Sequence, residues 1–161
     1  MARRVFYSFH YQADGWRASM IRNIGVVEGN PAATDNAWEE VKRGGDAAIQ
    51  RWINAQLEGR SCTVVLVGAE TASRRWVRYE IEKSWRDGKG LFGIRIHRLL
   101  NQAQQPAVAG RNPFESIVLS NGTSLARHVP LYDPPYLAST DTYNYIRNNL
   151  EAWIEHGISR R

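Results

Sequence analysis

Glu80 and Trp76 stand one helical turn apart in Ser73-Arg-Arg-Trp76-Val-Arg-Tyr-Glu80-Ile-Glu-Lys-Ser-Trp85, bringing a carboxylate beside an indole. At 100° per residue Val77, Ile81, Ser84 and Trp85 share one face, and Trp76 and Glu80 fall on the rim of that stripe. Two chemistries suit such a carboxylate. It is a solvated helix residue screened by Arg75, Arg78 or Lys83, or it is held against an aromatic wall where low local dielectric strengthens its charge. Arg74 and Arg75 occupy the first helical turn, where each cation opposes the helix macrodipole at a cost of roughly 0.3 to 1 kcal/mol. They point either to an anionic ligand or to plain solvation.

The elements that must position these residues follow from patterning. Cys62-Thr-Val-Val-Leu-Val67 is the most apolar run and four of its six residues are β-branched, so it reads as a central strand. A polar turn leads to the helix, for which Ser73 is the expected N-cap. Arg4 to Phe9 reads as the first strand, ending at a turn with Asp14 and Gly15, and Trp16 to Ile24 as a short helix. Val26-Val27 is a candidate short strand, and Glu28 to Gly45 a long loop with one helical turn. Asp46 is the expected N-cap of a helix that Gly59 ends. Leu91 to Ile96 is the next strand, Ile117 to Leu119 a candidate edge strand, and Pro130 to Pro135 a break. Thr140 or Asp141 caps the last helix, about 141–157, with Tyr145, Ile146, Leu150, Trp153 and Ile154 inward.

Strands alternating with helices give an α/β domain with a doubly wound, mainly parallel sheet, one domain over 1–161. Such sheets bind ligands beyond the carboxyl ends of their strands, where strand order reverses. Here that is where Ser8-Phe9-His10-Tyr11 meets Gly68 to Ser73. Glu80 lies seven residues beyond Ser73, about 10 Å along the helix axis, so a ligand must enter from the side.

Composition narrows the partners. The chain of 161 residues is 43% hydrophobic, enough for a real core. Arg3, Arg4, Arg160 and Arg161 supply four of the cations behind the net charge of +5, which leaves the interior near balance. No basic stripe with interleaved aromatics and no zinc-finger spacing is present, so no specific nucleic acid is expected, and a phosphate-bearing small ligand suits the charge better. Cys62, the one cysteine, reads as a packed thiol in a reducing compartment. The apolar start breaks at His10 and Gln12, too early for a signal peptide, and no run is long enough to span a membrane. A cytoplasmic protein with no membrane partner is expected. Cys62, His10 and His97 lack paired ligand spacing, so no metal is expected, and neither a serine-nucleophile motif nor a Gly-rich phosphate loop occurs.

Arg4-Val-Phe-Tyr-Ser-Phe9, the Asp46-led helix ending before Ser61-Cys-Thr-Val-Val-Leu, and Ser73-Arg-Arg-Trp76-Val-Arg-Tyr-Glu80 together resemble a Toll/interleukin-1 receptor (TIR) domain. Ser8-Phe-His-Tyr-Gln12, Arg22-Asn23, Trp38-Glu-Glu-Val-Lys42, Arg74-Arg-Trp-Val-Arg-Tyr-Glu-Ile81 and Asn112-Pro-Phe114 look like the bacterial TIR-like branch that includes the Thoeris antiphage signalling proteins. The resemblance runs from about residue 3 to 118. It departs from animal TIR domains at Gly44-Gly45, which stands in place of the usual Pro-Gly.

The resemblance implies a flavodoxin-like fold and an enzyme that cleaves NAD at its nicotinamide-ribose bond, with Glu80 on the family's catalytic glutamate. It implies a cyclic ADP-ribose type of signal that acts on a separate effector protein, and self-association as a further possibility. NAD is then the substrate and no cofactor is needed. One carboxylate suffices, because nicotinamide leaves a cationic pyridinium as a neutral molecule and needs no general acid, unlike glycoside hydrolysis. Water, an adenine nitrogen, a ribose hydroxyl or another small molecule could capture the ribosyl cation. Smaller expectations attach to other residues. His10 could touch ribose or phosphate, Phe9, Trp38 and Trp76 could stack on a ring or pack in the core, and Arg75 could meet the pyrophosphate. Ser8 and Asn112 are polar ligands or turn-makers. A non-enzymatic TIR-like interaction module and a plain flavodoxin-like nucleotide-binding domain are the alternatives.

Overall fold

A run of six β-branched and apolar residues is stable as a strand only where both of its faces are covered, and Cys62–Val67 (β2) is buried at every position. It lies inside a four-stranded parallel sheet in a computed structural model that describes residues 3–25, 27–29 and 40–161. Val5–Ser8 (β1) pairs with β2 in the register Val5 to Cys62 and Ser8 to Val65. Gly90–Arg95 (β3) flanks β2 on the other side, and Leu131–Tyr132 (β4) closes that edge. Beyond β1 the single parallel bridge Arg4 to Glu28 marks the opposite margin.

Alternation along the strands sends side chains to two helical layers. Val5, Tyr7, Cys62, Val64, Leu66, Phe92 and Ile94 face Tyr11–Arg22 (α1) and Ser139–Ser159 (α4), burying Ile21, Ile146, Leu150 and Ile154. On the other face Val65, Val67 and Leu91 meet Val77 and Ile81 of Arg75–Arg86 (α3), and Phe6 meets Ile49, Ile53 and Leu57 of Gly45–Leu57 (α2). The layout is the expected α/β arrangement with a wholly parallel sheet.

Several local expectations are corrected. Helix α1 begins at Tyr11 rather than Trp16, so the Asp14-Gly15 turn signal is overridden: Asp14 is buried in the helix and ion-paired with Arg17 at 3.0 Å. Neither Asp46 nor Ser73 is an N-cap. Gly44 precedes α2, and Gly45, with φ +78°, reorients the chain after the helical turn at 40–43, which a residue with a Cβ does only under strain. Arg74 precedes α3, while the Ser73 hydroxyl bonds back to Glu70 O at 2.8 Å and closes the 3-10 turn Thr71–Ser73. Thr140 and Asp141 lie within α4, which Ala138 precedes.

At the far margin Ile117 to Leu119 forms no strand and makes only the bridge Val118 to Ser124. Val118 is 66% exposed, so its β-branched side chain gains no buried surface. The edge strand forms instead within the segment read as a break, because Pro130 needs no donor there and its carbonyl accepts from Gly93 N at 3.0 Å. Val26 of the Val26-Val27 strand, most of the Glu28 to Gly45 loop and Trp38 lie outside the described residues.

Candidate active site

The carboxyl end of β1, residues of α1 and α2 and the first turns of α3 frame a cavity of about 540 Å³. Its lining places Phe9, His10, Arg75, Trp76 and Glu80 together, with Tyr11, Arg22, Lys42, Trp52 and Arg74 around them. The cavity runs along the flank of α3, past Ser73 and down to Glu80, which is the side entry required by Glu80's depth in the helix.

Glu80 is 8% exposed. Its Oε1 accepts a hydrogen bond from the Ser8 hydroxyl at 2.9 Å, joining α3 to the last residue of β1 across 72 positions of sequence. The three cations that could have screened it are each engaged elsewhere. Arg75 meets Asp46 at 2.6 Å, Arg78 meets Glu82 at 2.8 Å, and Lys83 meets Asp87 at 2.9 Å. Burial therefore dominates and pushes the Glu80 carboxyl up to about 8, with the Ser8 hydroxyl pulling weakly the other way. Behind the carboxyl, the Ser84 hydroxyl donates to the Glu80 carbonyl at 2.7 Å and lies 2.7 Å from Thr63 Oγ1 on β2, which fixes the helix turn against the sheet.

Trp76 is half-buried and serves two neighbourhoods. It lines the cavity, and it packs on the Phe6–Ile53 cluster with Tyr79 edge-on at 5.6 Å between ring centroids. The Arg75 guanidinium lies over its ring at 4.5 Å. Phe9 packs on the α1 side of the sheet, stacked with Tyr11 at 6.4 Å and covered by Arg22 at 5.3 Å. His10 is half-buried with Nδ1 inaccessible and unpartnered, and burial followed by the nearby Arg74 lowers its basicity.

Asn112 does not join this group. Its Oδ1 accepts from Phe114 N at 2.9 Å, so its side chain makes a turn, and it does not line the cavity. Cys62 is fully buried beneath the sheet's other face, and burial pushes its thiol up to about 12, which leaves it unreactive. Sequence reasoning gave no role to Arg22, Lys42 or Trp52. Arg22 was visible only as part of a short motif, since nothing local distinguishes a cation that faces a cavity from one that faces water.

The cavity thus combines a sheltered carboxylate, aromatic walls and several cations, a set able to hold a flat cationic ring and a nearby anionic group at once. The described residues contain no helix long and apolar enough to cross a membrane. Over 120 residues the chain is 41% identical to a protein of Bacillus cereus (strain MSX-D12) named "Putative cyclic ADP-D-ribose synthase ThsB1". That match covers 71% of this chain, which spans 62% of the relative's length. The family described as "Thoeris protein ThsB, TIR-like domain" matches residues 6–101, from β1 through α3 and β3. This chain belongs to that family, with a TIR-like domain of the Thoeris protein ThsB type.

Proposed function

We propose that the protein cleaves NAD at the nicotinamide-ribose bond and rearranges the ADP-ribose portion into a cyclic isomer that signals to a separate effector protein in antiphage defence. The observation that carries this reading is Glu80, a cavity carboxylate held by the Ser8 hydroxyl with no cation paired to it among the described residues. Once the proton that burial favours is lost, its charge is therefore available to a ligand. The name of the Bacillus cereus relative supports the same class of product.

In this reading nicotinamide ribose sits between Glu80 and Trp76. The C1′–N bond breaks with its electron pair passing to the pyridinium nitrogen, so nicotinamide departs neutral and no acid is needed. Positive charge develops on the ribosyl carbon and ring oxygen, and the fixed Glu80 carboxylate stabilises it through the low-dielectric cavity. The Trp76 ring offers its negative face to the same charge. A hydroxyl or an adenine nitrogen of the same substrate then bonds to C1′, and its proton passes to the Glu80 carboxylate or to water. Closing the ring on the substrate's own atoms requires that water be held away, which a flank cavity walled by Phe6, Trp52 and Trp76 favours.

The test is turnover of NAD followed by mass spectrometry, comparing wild type with Glu80→Gln. The substitution keeps shape and removes charge, so a loss of roughly a hundred- to a thousand-fold in rate is expected. Equal turnover by an equally folded Glu80→Gln protein would remove Glu80 from the mechanism.

A further inference from the structure

Among the cavity's cations, Arg22 is sheltered and has no carboxylate paired with it among the described residues. Arg75 is bound to Asp46, Arg74 is exposed to solvent, and Lys42 has interactions of its own. Arg22, the last residue of α1, is half-buried, its Nε is inaccessible and without a hydrogen-bond partner, and no carboxylate pairs with it among the described residues. Its guanidinium lies 5.3 Å from the centroid of the Phe9 ring. A position at a helix C-terminus and a ring beneath it compensate some of the charge. Neither gives the Nε–H an acceptor. A sheltered guanidinium whose Nε–H has no partner, and whose charge no carboxylate balances among the described residues, is suited to an anion that enters the cavity.

Strand geometry sets where that anion would lie. Ser8 turns to one face of the sheet and holds Glu80, while Phe9, the next residue, turns to the other and lies under Arg22. The cavity spans both, so it has an acidic pole at Glu80 and a basic pole at Arg22 on either side of the end of β1. NAD has the matching asymmetry, a cationic nicotinamide ring joined through ribose to an anionic pyrophosphate.

We infer that Arg22 is the pyrophosphate anchor of this site, and that its contact with the phosphates places the nicotinamide ribose against Glu80. This rests on the NAD reading above. It also moves the expected phosphate contact from Arg75, whose guanidinium is already committed to Asp46 and Trp76, to a residue on α1.

The experiment measures binding of ADP and of adenosine by calorimetry to wild type, Arg22→Gln and Arg22→Lys, with melting temperatures and wild-type NAD turnover recorded in parallel. Charge-assisted contacts to a pyrophosphate should make wild type prefer ADP over adenosine by roughly ten- to a hundred-fold. Arg22→Gln should erase that preference and leave adenosine affinity unchanged. Arg22→Lys, which keeps the charge but not the planar fork, should retain part of it. Equal binding of ADP and adenosine by wild type, an ADP preference that survives in folded Arg22→Gln, or Arg22→Lys matching wild type would each overturn the assignment. If Arg22 governs ADP binding and wild type nevertheless leaves NAD intact, the anion subsite stands and the NAD-cleaving reading falls.

Discussion

Among the described residues Glu80 meets one hydroxyl, that of Ser8, and no cation, so on folding its charged form loses hydration and recovers little. A proton offsets that loss until about pH 8. The sign of the resulting stability change follows from proton counts. Between the ordinary carboxyl value of 4.5 and about 8 the folded chain holds a proton that the unfolded chain has lost. Stability from this group is therefore full below 4.5 and falls as pH rises through that window, by roughly 1.4 kcal/mol per pH unit for one proton. Glu80→Gln removes the titration. We expect the variant to gain on wild type as pH rises from 5 to 8, by a total on the order of 3 kcal/mol, measured as denaturant midpoints across pH. A constant difference across that range would show that Glu80 ionises freely in the folded protein. Activity should run the opposite way. If the ionised carboxylate is the working form, wild-type kcat/KM climbs with pH towards about 8. The limb in kcat should lie lower, because a bound cationic ring favours the charged carboxylate.

At the scale of elements, a residue's partner decides what sequence could show. Strand β2 and helix α3 were legible because an apolar run followed by 3.6-residue spacing is a local signal, and so was Glu80's place beside the buried stripe. The Ser8 contact was not, since its two ends lie 72 positions apart and no periodicity links them. Helix α1 shows the same limit in another form. Asp14-Gly15 reads as a turn by residue type, yet Arg17 draws Asp14 into the helix and reaches Leu99 O at 2.7 Å and Gln105 O at 2.9 Å. That clamp ties the irregular segment after β3 to α1, and the flank of Gly68 against Asp14 is so close that an added Cβ would lie 2.1 Å from Oδ2. Arg17→Met keeps the stem and removes the charge, leaving Asp14 buried without its counter-ion. Breaking a buried pair from one side costs about 3 to 5 kcal/mol. Asp14→Asn combined with Arg17→Met should recover part of that loss, which denaturant unfolding of the two variants beside wild type would measure. Equal destabilisation by the single and double changes would mean that the lost carbonyl contacts, rather than the orphaned acid, carry the cost.

Across the whole molecule, the TIR-like resemblance and the family match stop short of the last helix, and only its apolar spacing announced it. That spacing proved sufficient for Ile146, Leu150, Trp153 and Ile154, all buried, whereas Tyr145 is half-buried and instead packs its ring 5.8 Å from Trp153. The helix lies on β3 so closely that a Cβ on Gly90 would stand 2.9 Å from the backbone of Gly157. Tyr132 of the edge strand stacks on Trp153 at 4.3 Å, so β4 and α4 cover the same margin of the sheet. The cavity lies at the end of β1, and α4 contributes nothing to its lining. Its role is to shelter Phe92, Ile94 and the face of the sheet that also bears Val5. Four large side chains at about 1.5 to 3 kcal/mol each amount to roughly 6 to 12 kcal/mol, comparable with the net stability of a typical domain. A chain ending at Leu137 should therefore lose cooperative folding, seen as a broad or absent thermal transition by circular dichroism and binding of a hydrophobic dye. Were the shortened chain to melt sharply and still bind ADP, the parallel sheet would be self-sufficient on its α2–α3 face, and α4 would be an accessory to the TIR-like domain rather than a wall of it.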